Sequence, residues 1–413
     1  GFALGNKKIG GAITMKCNKV KIKSGWVWEC VGEAPRNPRT GRRRQIRRRG
    51  KTQKEAKQRV EDAIRALEEN GIDESVSKSI TFEKVAERWL EVYKASGVKR
   101  GSVRIREKEV KILNRYFAKA PVIEISHHMY QQMLLNLNKE GYAHNTISGV
   151  NTCANMIFKY AIRNKLIKDN PREDAIVPKK SITVEDLEKD SIEETYFEGD
   201  ELEKFLDAVL KIGLELDKEW FYTLAFTGMR PGELVALKKD DLNFEKNTIR
   251  ITKTLYSETN NMRKYTLDTT KTNKARIIDI DPRIMNMLKK LVRENDKHKL
   301  KYKMMLDDYH DEDFVFQRPN GYPYLVKNIG DRMRRLMKHI NLEKKLTPHA
   351  FRHTHISMLA EAGTELPTIM ERVGHEDPNT TLKVYTHVTN KMKVKSIENI
   401  SNHNREILKK LNL

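Results

Sequence analysis

Cysteine is scarce in this chain of 413 residues: Cys17, Cys30 and Cys153 are the three present. They are odd in number, scattered and without C-x-x-C spacing, so they support neither a disulfide framework nor a zinc site, and they point to a reducing, cytoplasmic compartment. Long apolar runs are missing as well. Nothing approaches the ~20 consecutive apolar residues that span a bilayer, so no membrane association is expected. The opening GFALGNKKIGGAIT lacks the long apolar stretch of a secretory leader. No repeat of fixed period and no low-complexity segment appears. Acidic residues are the other shortfall: 57 Asp and Glu stand against 79 Lys and Arg, a net charge of +22. Solvated lysine faces account for some of any such excess; one this large points to a polyanionic partner. What is present is 38% hydrophobic residues, a globular composition, in a length that suggests two to four domains at roughly 100–200 residues each.

Three segments follow one another. In the first, residues 1–75, a β-prone run around Trp26, Val27 and Trp28 and a second run at 42–49 flank the turn-forming Pro35, Asn37, Pro38 and Gly41, which reads as a hairpin. Gly50 ends the sheet. Thr52 with Glu55 forms a capping box, Ala56, Val60, Ala63, Ile64 and Leu67 recur on one helical face, and Gly71 supplies a stop. The expected product is a small sheet backed by one helix, its uncovered side carrying basic and aromatic residues, able to enter a DNA groove as strands; Arg42, Arg43, Arg44, Arg47, Arg48 and Arg49 are its candidate DNA contacts. A disordered basic tail is the competing reading, which the capped amphipathic helix opposes.

The second segment, 80–175, reads as wholly helical, with apolar stripes at Phe82, Val85, Ala86, Trp89, Leu90 and Tyr93, at Val110, Ile112, Leu113, Tyr116 and Phe117, at Met129, Met133, Leu134 and Leu137, and at Ile157, Phe158, Ala161 and Ile162. These are core stripes and imply no cofactor. Lys99, Arg100, Arg104, Arg106 and Lys108 form a polar face, either solvated or in phosphate contact. Residues 176–195 are charged and stripe-free, an interdomain linker. The third segment, 196–413, combines helices with β-like alternation at 248–254, 265–270 and 275–280. The fold class expected is α+β and multidomain: a β-sheet plus helix, an all-helical domain, and a mostly helical domain with a small antiparallel sheet.

Chemistry concentrates in four short stretches of the third segment. In TGMRPGEL, 227–234, Gly228 turns the chain and Pro231 suits a first helical position, which puts Arg230 at a helix mouth, an oxyanion-binding corner. In TPHAFRHT, 347–354, Thr347 and Pro348 open a helix on which His349 and Arg352 share a face. His349 and His353 have zinc-protease spacing, but no glutamate base lies between them and no third ligand follows, so no metal is expected. RVGHEDPNTTLKVYTHV, 372–388, ends a helix at Gly374, presents His375 and reaches Tyr385. TKTNKARIIDI, 270–280, turns between strands with Lys271 near its tip.

In order and spacing, these motifs resemble those of the tyrosine recombinase (phage integrase) family. The resemblance matches the family's arginines and histidines to Arg230, His349, Arg352 and His375, its nucleophile to Tyr385, and its β-hairpin lysine to Lys271, with Lys274 as fallback. It spans the whole third segment; Phe351 and Val373 stand where leucine is commoner. The resemblance implies an arm-type DNA-binding domain at 1–75, a core-binding domain at 80–175 with Lys99, Arg100 and Arg104 on DNA, and a catalytic domain at 196–413. It further implies an integrase that recombines the attachment sites of a phage or conjugative element as a homotetramer on double-stranded DNA, with an accessory DNA-bending or excision factor. It implies action at the nucleoid and no cofactor, and a C-terminal tail with Ile397, Ile400, Ile407 and Leu411 that docks on an adjacent protomer. Two other readings use the same residues. A DNA-binding regulator would have no need of the tyrosine, and a type IB topoisomerase would not be expected to carry a separate basic sheet.

Overall fold

Alternating burial along the first strands produces an antiparallel meander of β1 (Met15–Ile22), β2 (Gly25–Ala34) and β3 (Arg44–Gly50), in that spatial order. The structure is a computed structural model that describes residues 15–22, 25–36, 43–70, 79–179, 195–375 and 378–410, with backbone alone at 69–70, 380, 395–396 and 398–410. Arg42, the Asn37–Gly41 turn, the Gly71 stop, residues 180–194 of the linker and Leu411 therefore lie outside the described residues. The chain forms two units, 1–181 and 182–413.

The first unit holds two separate cores. One lies between the meander and α1 (Gln53–Asn70), where Cys30, Ile46, Ala56, Val60, Ala63 and Ile64 are buried. Thr52 Oγ1 accepts from Glu55 N at 3.1 Å, and the Glu55 carboxylate closes on the N–H of Lys51 at 2.7 Å, one residue earlier than a standard box. Two expectations are corrected here. The register sets Cys17 directly opposite Cys30, both on the helix-facing side, and the two form a disulfide, leaving Cys153 as the free, buried thiol. Sequence spacing carries no sign of this, because a cross-strand pair is created by register. The tryptophans also sit otherwise than expected. Trp26 and Trp28 share Cys30's parity, so they lie on the helix-facing side, with Trp28 packed at the core and Trp26 exposed beyond it. The open face carries Lys16, Arg47 and Arg49, the last bonded to Glu29 at 2.7 Å.

The second core belongs to α2 (Phe82–Ala95), α3 (Arg100–Phe117), α4 (His127–Lys139) and α5 (His144–Arg163), packed around Phe82, Trp89, Leu113, Phe117, Tyr130 and Phe158. Tyr130, one residue on from Met129, takes the buried place on α4, and Met129 is exposed. Arg106 leaves the expected polar face: it is half-buried in an ion pair with Glu109, against the Gly149 carbonyl. Gln131 bonds both backbone groups of Ile176, each at 2.9 Å, so the chain stays attached to the bundle past 175.

The second unit is built on α6 (Gly199–Ile212), α7 (Asp217–Thr227), the short α8 (Pro231–Leu234), α9 (Pro282–Tyr302), α10 (Val326–His339), α11 (Ala350–Glu361), α12 (Leu366–Val373) and α13 (Pro378–Lys410). Phe197, Phe205, Phe221 and Phe351 stack into one aromatic core. The β segments make two small antiparallel sheets where one was expected: β4 (Leu242–Asn243), β5 (Thr248–Ile251) and β8 (Arg276–Asp279) form one, and β6 (Lys253–Tyr256) with β7 (Thr266–Thr269) the other. The turn bearing Lys271 thus joins strands of different sheets and is not a paired hairpin. Among the described residues no helix is long and apolar enough to cross a membrane.

Candidate active site

The end of α12 organises the site. A helix C-terminus leaves its last carbonyls without partners and carries partial negative charge, so it attracts cations. Here three guanidiniums answer: Arg276 Nε donates to Arg372 O at 3.2 Å, Arg352 Nη2 to Val373 O, and Arg230 Nη2 to Gly374 O at 3.2 Å. Gly374 itself caps the helix at φ 68°, the left-handed conformation glycine favours.

Arg230 occupies the N-cap of α8, as its Pro-Gly-Glu context suggests, and its Nη1 bonds Glu233 Oε1 at 2.9 Å. Glu233 is wholly buried and also takes Arg276, at 2.6 and 3.1 Å. Burial opposes its charge, but the hydrogen bonds and charge of Arg276, with those of Arg230, hold the carboxyl below the usual range. Arg352 has no exposed surface. Its Nε donates to His375 Nε2 at 3.1 Å and its Nη1 to Gly228 O at 2.9 Å. Burial, then the charge of Arg230, presses its pKa down, which is the signature of a cation short of a counter-anion.

A guanidinium cannot accept a hydrogen bond, so His375 Nε2 is unprotonated, and Nδ1–H donates to Thr381 Oγ1 at 2.6 Å. Nε2 is thereby committed to Arg352. His349 stands at the N-cap of α11, just outside the helix expected to contain it, with its ring 5.2 Å from that of His353. Although its surface is open to solvent, burial by surrounding protein, then the charges of His353, Arg352, Arg230 and Lys271, lower its pKa to about 4. Lys271 is therefore near enough to bear on His349, whereas Lys274 lines an 890 Å³ cleft with Arg276 and His375. Tyr385 lies on α13, half-buried against the cluster of Ile356, Ile369, Val373, Val384 and Val388. It follows Thr381 by four residues, which puts it on the same helix face, one turn beyond the hydroxyl that holds His375. No hydrogen bond to its own hydroxyl is found among the described residues.

Sequence reasoning missed Arg276, Thr381 and His355. His355 is buried, gives Nδ1–H to Ala225 O at 3.0 Å and accepts from Arg372 Nε at 3.1 Å. Only the alternation of Arg276 with buried Ile278 hinted at an inward strand position. Of the six motif residues, the structure joins Arg230, Arg352 and His375 through hydrogen bonds and the α12 carbonyls, with His349 and Lys271 alongside. The candidate DNA contacts Arg43, Arg47 and Arg49 are exposed and Arg44 and Arg48 half-buried; Arg100 is exposed and Lys99 and Arg104 half-buried.

His349, His355 and His375 are lowered to about 4, 4 and 3, and His353 is lowered too, with burial the first cause at each. Unfolded imidazoles bind protons as pH falls through about 6.5, while these folded ones remain neutral. The unfolded state then holds more protons, so stability is complete above about pH 6.5 and declines as pH drops toward about 4. The melting temperature of the full chain should be level near neutral pH and fall through that window. A flat profile would mean that these imidazoles titrate normally.

Residues 195–392 match the model of the phage integrase family. The integrase of Staphylococcus phage L54a is 33% identical over 341 residues, covering 78% of this chain and 93% of that relative. The chain belongs to the phage integrase family. This integrase family's folds match as well. The Tn1549 transposon integrase, solved in complex with transposon right end DNA, aligns with a TM-score of 0.61 at 22% identity, over 78% of this chain and 100% of that one. A lambda integrase tetramer bound to a Holliday junction aligns at 0.54 and 16% identity, over 87% and 96%. As a member of the phage integrase family, the chain is a tyrosine-type site-specific DNA recombinase.

Proposed function

We propose that this recombinase cuts and rejoins DNA through a 3′-phosphotyrosine on Tyr385, with Arg230, Lys271, His349, Arg352 and His375 completing the catalytic set. The observation that carries the reading is Arg352: a fully buried guanidinium whose partners are two carbonyls and an imidazole. Such a cation gains most from an anion arriving in the site, and a phosphodiester supplies one. Arg230 and Arg352 take the non-bridging oxygens and stabilise the charge that builds as Tyr385 Oη bonds to phosphorus. His349, neutral at pH 7, accepts the phenolic proton, and His375 orients Arg352 through Nε2. The P–O5′ bond breaks, and Lys271 delivers a proton to the departing 5′-oxygen. Attack by the 5′-hydroxyl of another strand reverses the sequence and frees the tyrosine. The covalent link conserves the phosphoester bond, so the scheme uses neither ATP nor a metal ion.

The same proposal assigns residues 1–75 to arm-type sites through Lys16, Arg47 and Arg49 on the open face, and 80–175 to core sites through Lys99, Arg100 and Arg104, with 176–195 as linker and 196–413 as the catalytic domain. Two DNA-binding modules on one chain let it bridge two attachment sites, at an avidity set by linker length. The substrate is the ends of a mobile element, phage or conjugative, at the bacterial nucleoid, with four protomers in the synapse and an accessory bending or excision factor. The exposed Met392, Val394 and Ile397 of α13 favour docking of the tail on a neighbouring protomer. Deleting 395–413 is expected to lower the number of protomers held on paired sites and leave the fold intact; unchanged stoichiometry and recombination would sink the docking.

The decisive experiment traps the intermediate. Nicked DNA from the element's end is incubated in EDTA with the wild type and with Tyr385→Phe. A denaturant-resistant adduct from the wild type alone supports the scheme; tight binding without an adduct from either would overturn it.

A further inference from the structure

Arg276, the first residue of β8, grips Glu233 at two points, Nη1 to Oε1 at 3.1 Å and Nη2 to Oε2 at 2.6 Å. Arg230 reaches the same carboxylate through one side-chain nitrogen, Nη1 to Oε1 at 2.9 Å, and commits Nη2 to Gly374 O. Fork-on-fork pairing is the preferred geometry of a guanidinium with a carboxylate. Arg276 occupies that fork, so the Arg230 side chain is held at the edge of Glu233 in a one-point pair. Remove Arg276, and Glu233, still accepting Arg230 N at 2.9 Å, can turn onto the Arg230 side chain as a two-point ion pair.

Position reinforces the point. A Cβ on Gly374 would lie 3.1 Å from Arg276 Cδ and 3.2 Å from Nη1, so the side chain lies against the turn that offers Gly374 O to Arg230 and carries His375. Arg276 Nε also bonds Arg372 O, one residue before Val373, whose carbonyl holds Arg352. The residue begins the strand that leaves the Lys271 turn. One side chain thus ties together the three pieces of chain that carry Arg230, His375 and Lys271, while the groups it faces are a single buried carboxylate and a backbone carbonyl.

We propose that Arg276 is a positioning residue for strand cleavage: it competes with Arg230 for Glu233 and so keeps Arg230 out of a two-point ion pair and aimed at the scissile phosphate. The inference rests on the assignment of Arg230 to that phosphate.

The test measures single-turnover cleavage of nicked DNA by the full chain across a range of DNA concentrations, for Arg276→Gln, Arg276→Lys and each in a Glu233→Gln background. Displacement of a catalytic group by about an ångström costs up to about 100-fold, so Arg276→Gln should lose about 10–100-fold in the saturating rate, with half-saturation within about twofold of wild type. Arg276→Lys, which keeps the charge without the fork, should recover part of that loss. In the Glu233→Gln background the Arg276→Gln change should cost little more, because the carboxylate it competes for is gone. A purely structural role would instead give full multiplicative losses in both backgrounds, and that result, or a wild-type rate in Arg276→Gln, overturns the inference. If Arg276→Gln fails to fold, Arg276→Lys carries the same comparison. Absence of any adduct from the wild type would remove the catalytic assignment itself; an adduct from the wild type, undiminished in the Arg276 variants, would remove only the role of Arg276.

Discussion

Replacing Arg352 with alanine is expected to lower the rate of strand cleavage by about 10²–10³, the usual cost of removing one preorganised donor to a transition-state oxyanion. The environment argues for the upper part of that range. Arg352 is wholly buried, and its three nitrogens are each committed, to His375 Nε2, Gly228 O and Val373 O. Truncation leaves two buried carbonyls and an imidazole acceptor unpaired, each costing about 1–3 kcal/mol, so the melting temperature should fall as well. Lysine does not repair this. A single ammonium on a flexible stem cannot reproduce a planar fork that serves three acceptors while facing a phosphate, so Arg352→Lys should remain well below wild type in rate. Single-turnover adduct formation alongside thermal unfolding separates the two effects: the rate deficit should persist at a temperature where both variants are folded. Cleavage by Arg352→Ala within about threefold of wild type would remove Arg352 from the catalytic set.

Gly228→Ala is expected to lower both the stability of the second unit and the rate of strand cleavage. Gly228 sits at φ 63°, and an L-residue there costs about 1–2 kcal/mol. The added Cβ would stand 2.6 Å from His355 Cδ2 and 3.0 Å from Cγ. His355 cannot swing aside freely, because Ala225 O and Arg372 Nε hold its two ring nitrogens. Overpacking of this kind adds about 1–3 kcal/mol, for a total of about 2–5 kcal/mol. Any relief that shifts the turn also moves Gly228 O away from Arg352, so cleavage should weaken together with stability. Thermal unfolding of Gly228→Ala, His355→Ala and the double variant reads the effect: the double variant should be less destabilised than the sum of the singles, since removing the imidazole makes room for the methyl. Additive losses would show that the methyl and the imidazole do not meet.

Much of this architecture was legible because it rests on local signals. Helical periodicity gave the stripes of α2, α3 and α5, and Pro231 and Pro348 marked two helix starts to within two residues. Local signals fail where pairing register or packing against another element decides. Met129 and Tyr130 are adjacent apolar residues, and only packing chose between them. Arg106 reads as one more surface cation until Glu109 is seen beside it under α5. Cys17 and Cys30 look unrelated until the β1–β2 register sets them opposite each other. The same register, with its period of two, sent Trp26 and Trp28 to the helix-facing side of the sheet.

The proposed catalytic set divides in the same way. Arg230, His349, Arg352, His375 and Tyr385 stand in short motifs whose residue types and order mark them as candidates, and the charge of +22 points to a polyanionic partner; residue type and order along the chain were enough for the family and for the residues to watch. The tertiary structure alone decided how those residues are wired: that three guanidiniums share the carbonyl end of α12, that Glu233 is divided between Arg230 and Arg276, and that His375 points its acceptor at Arg352. The physical reason is range. Residue type and local spacing are written along the chain, whereas hydrogen bonds between residues 21 to 144 positions apart exist only once the core has folded and removed those groups from water.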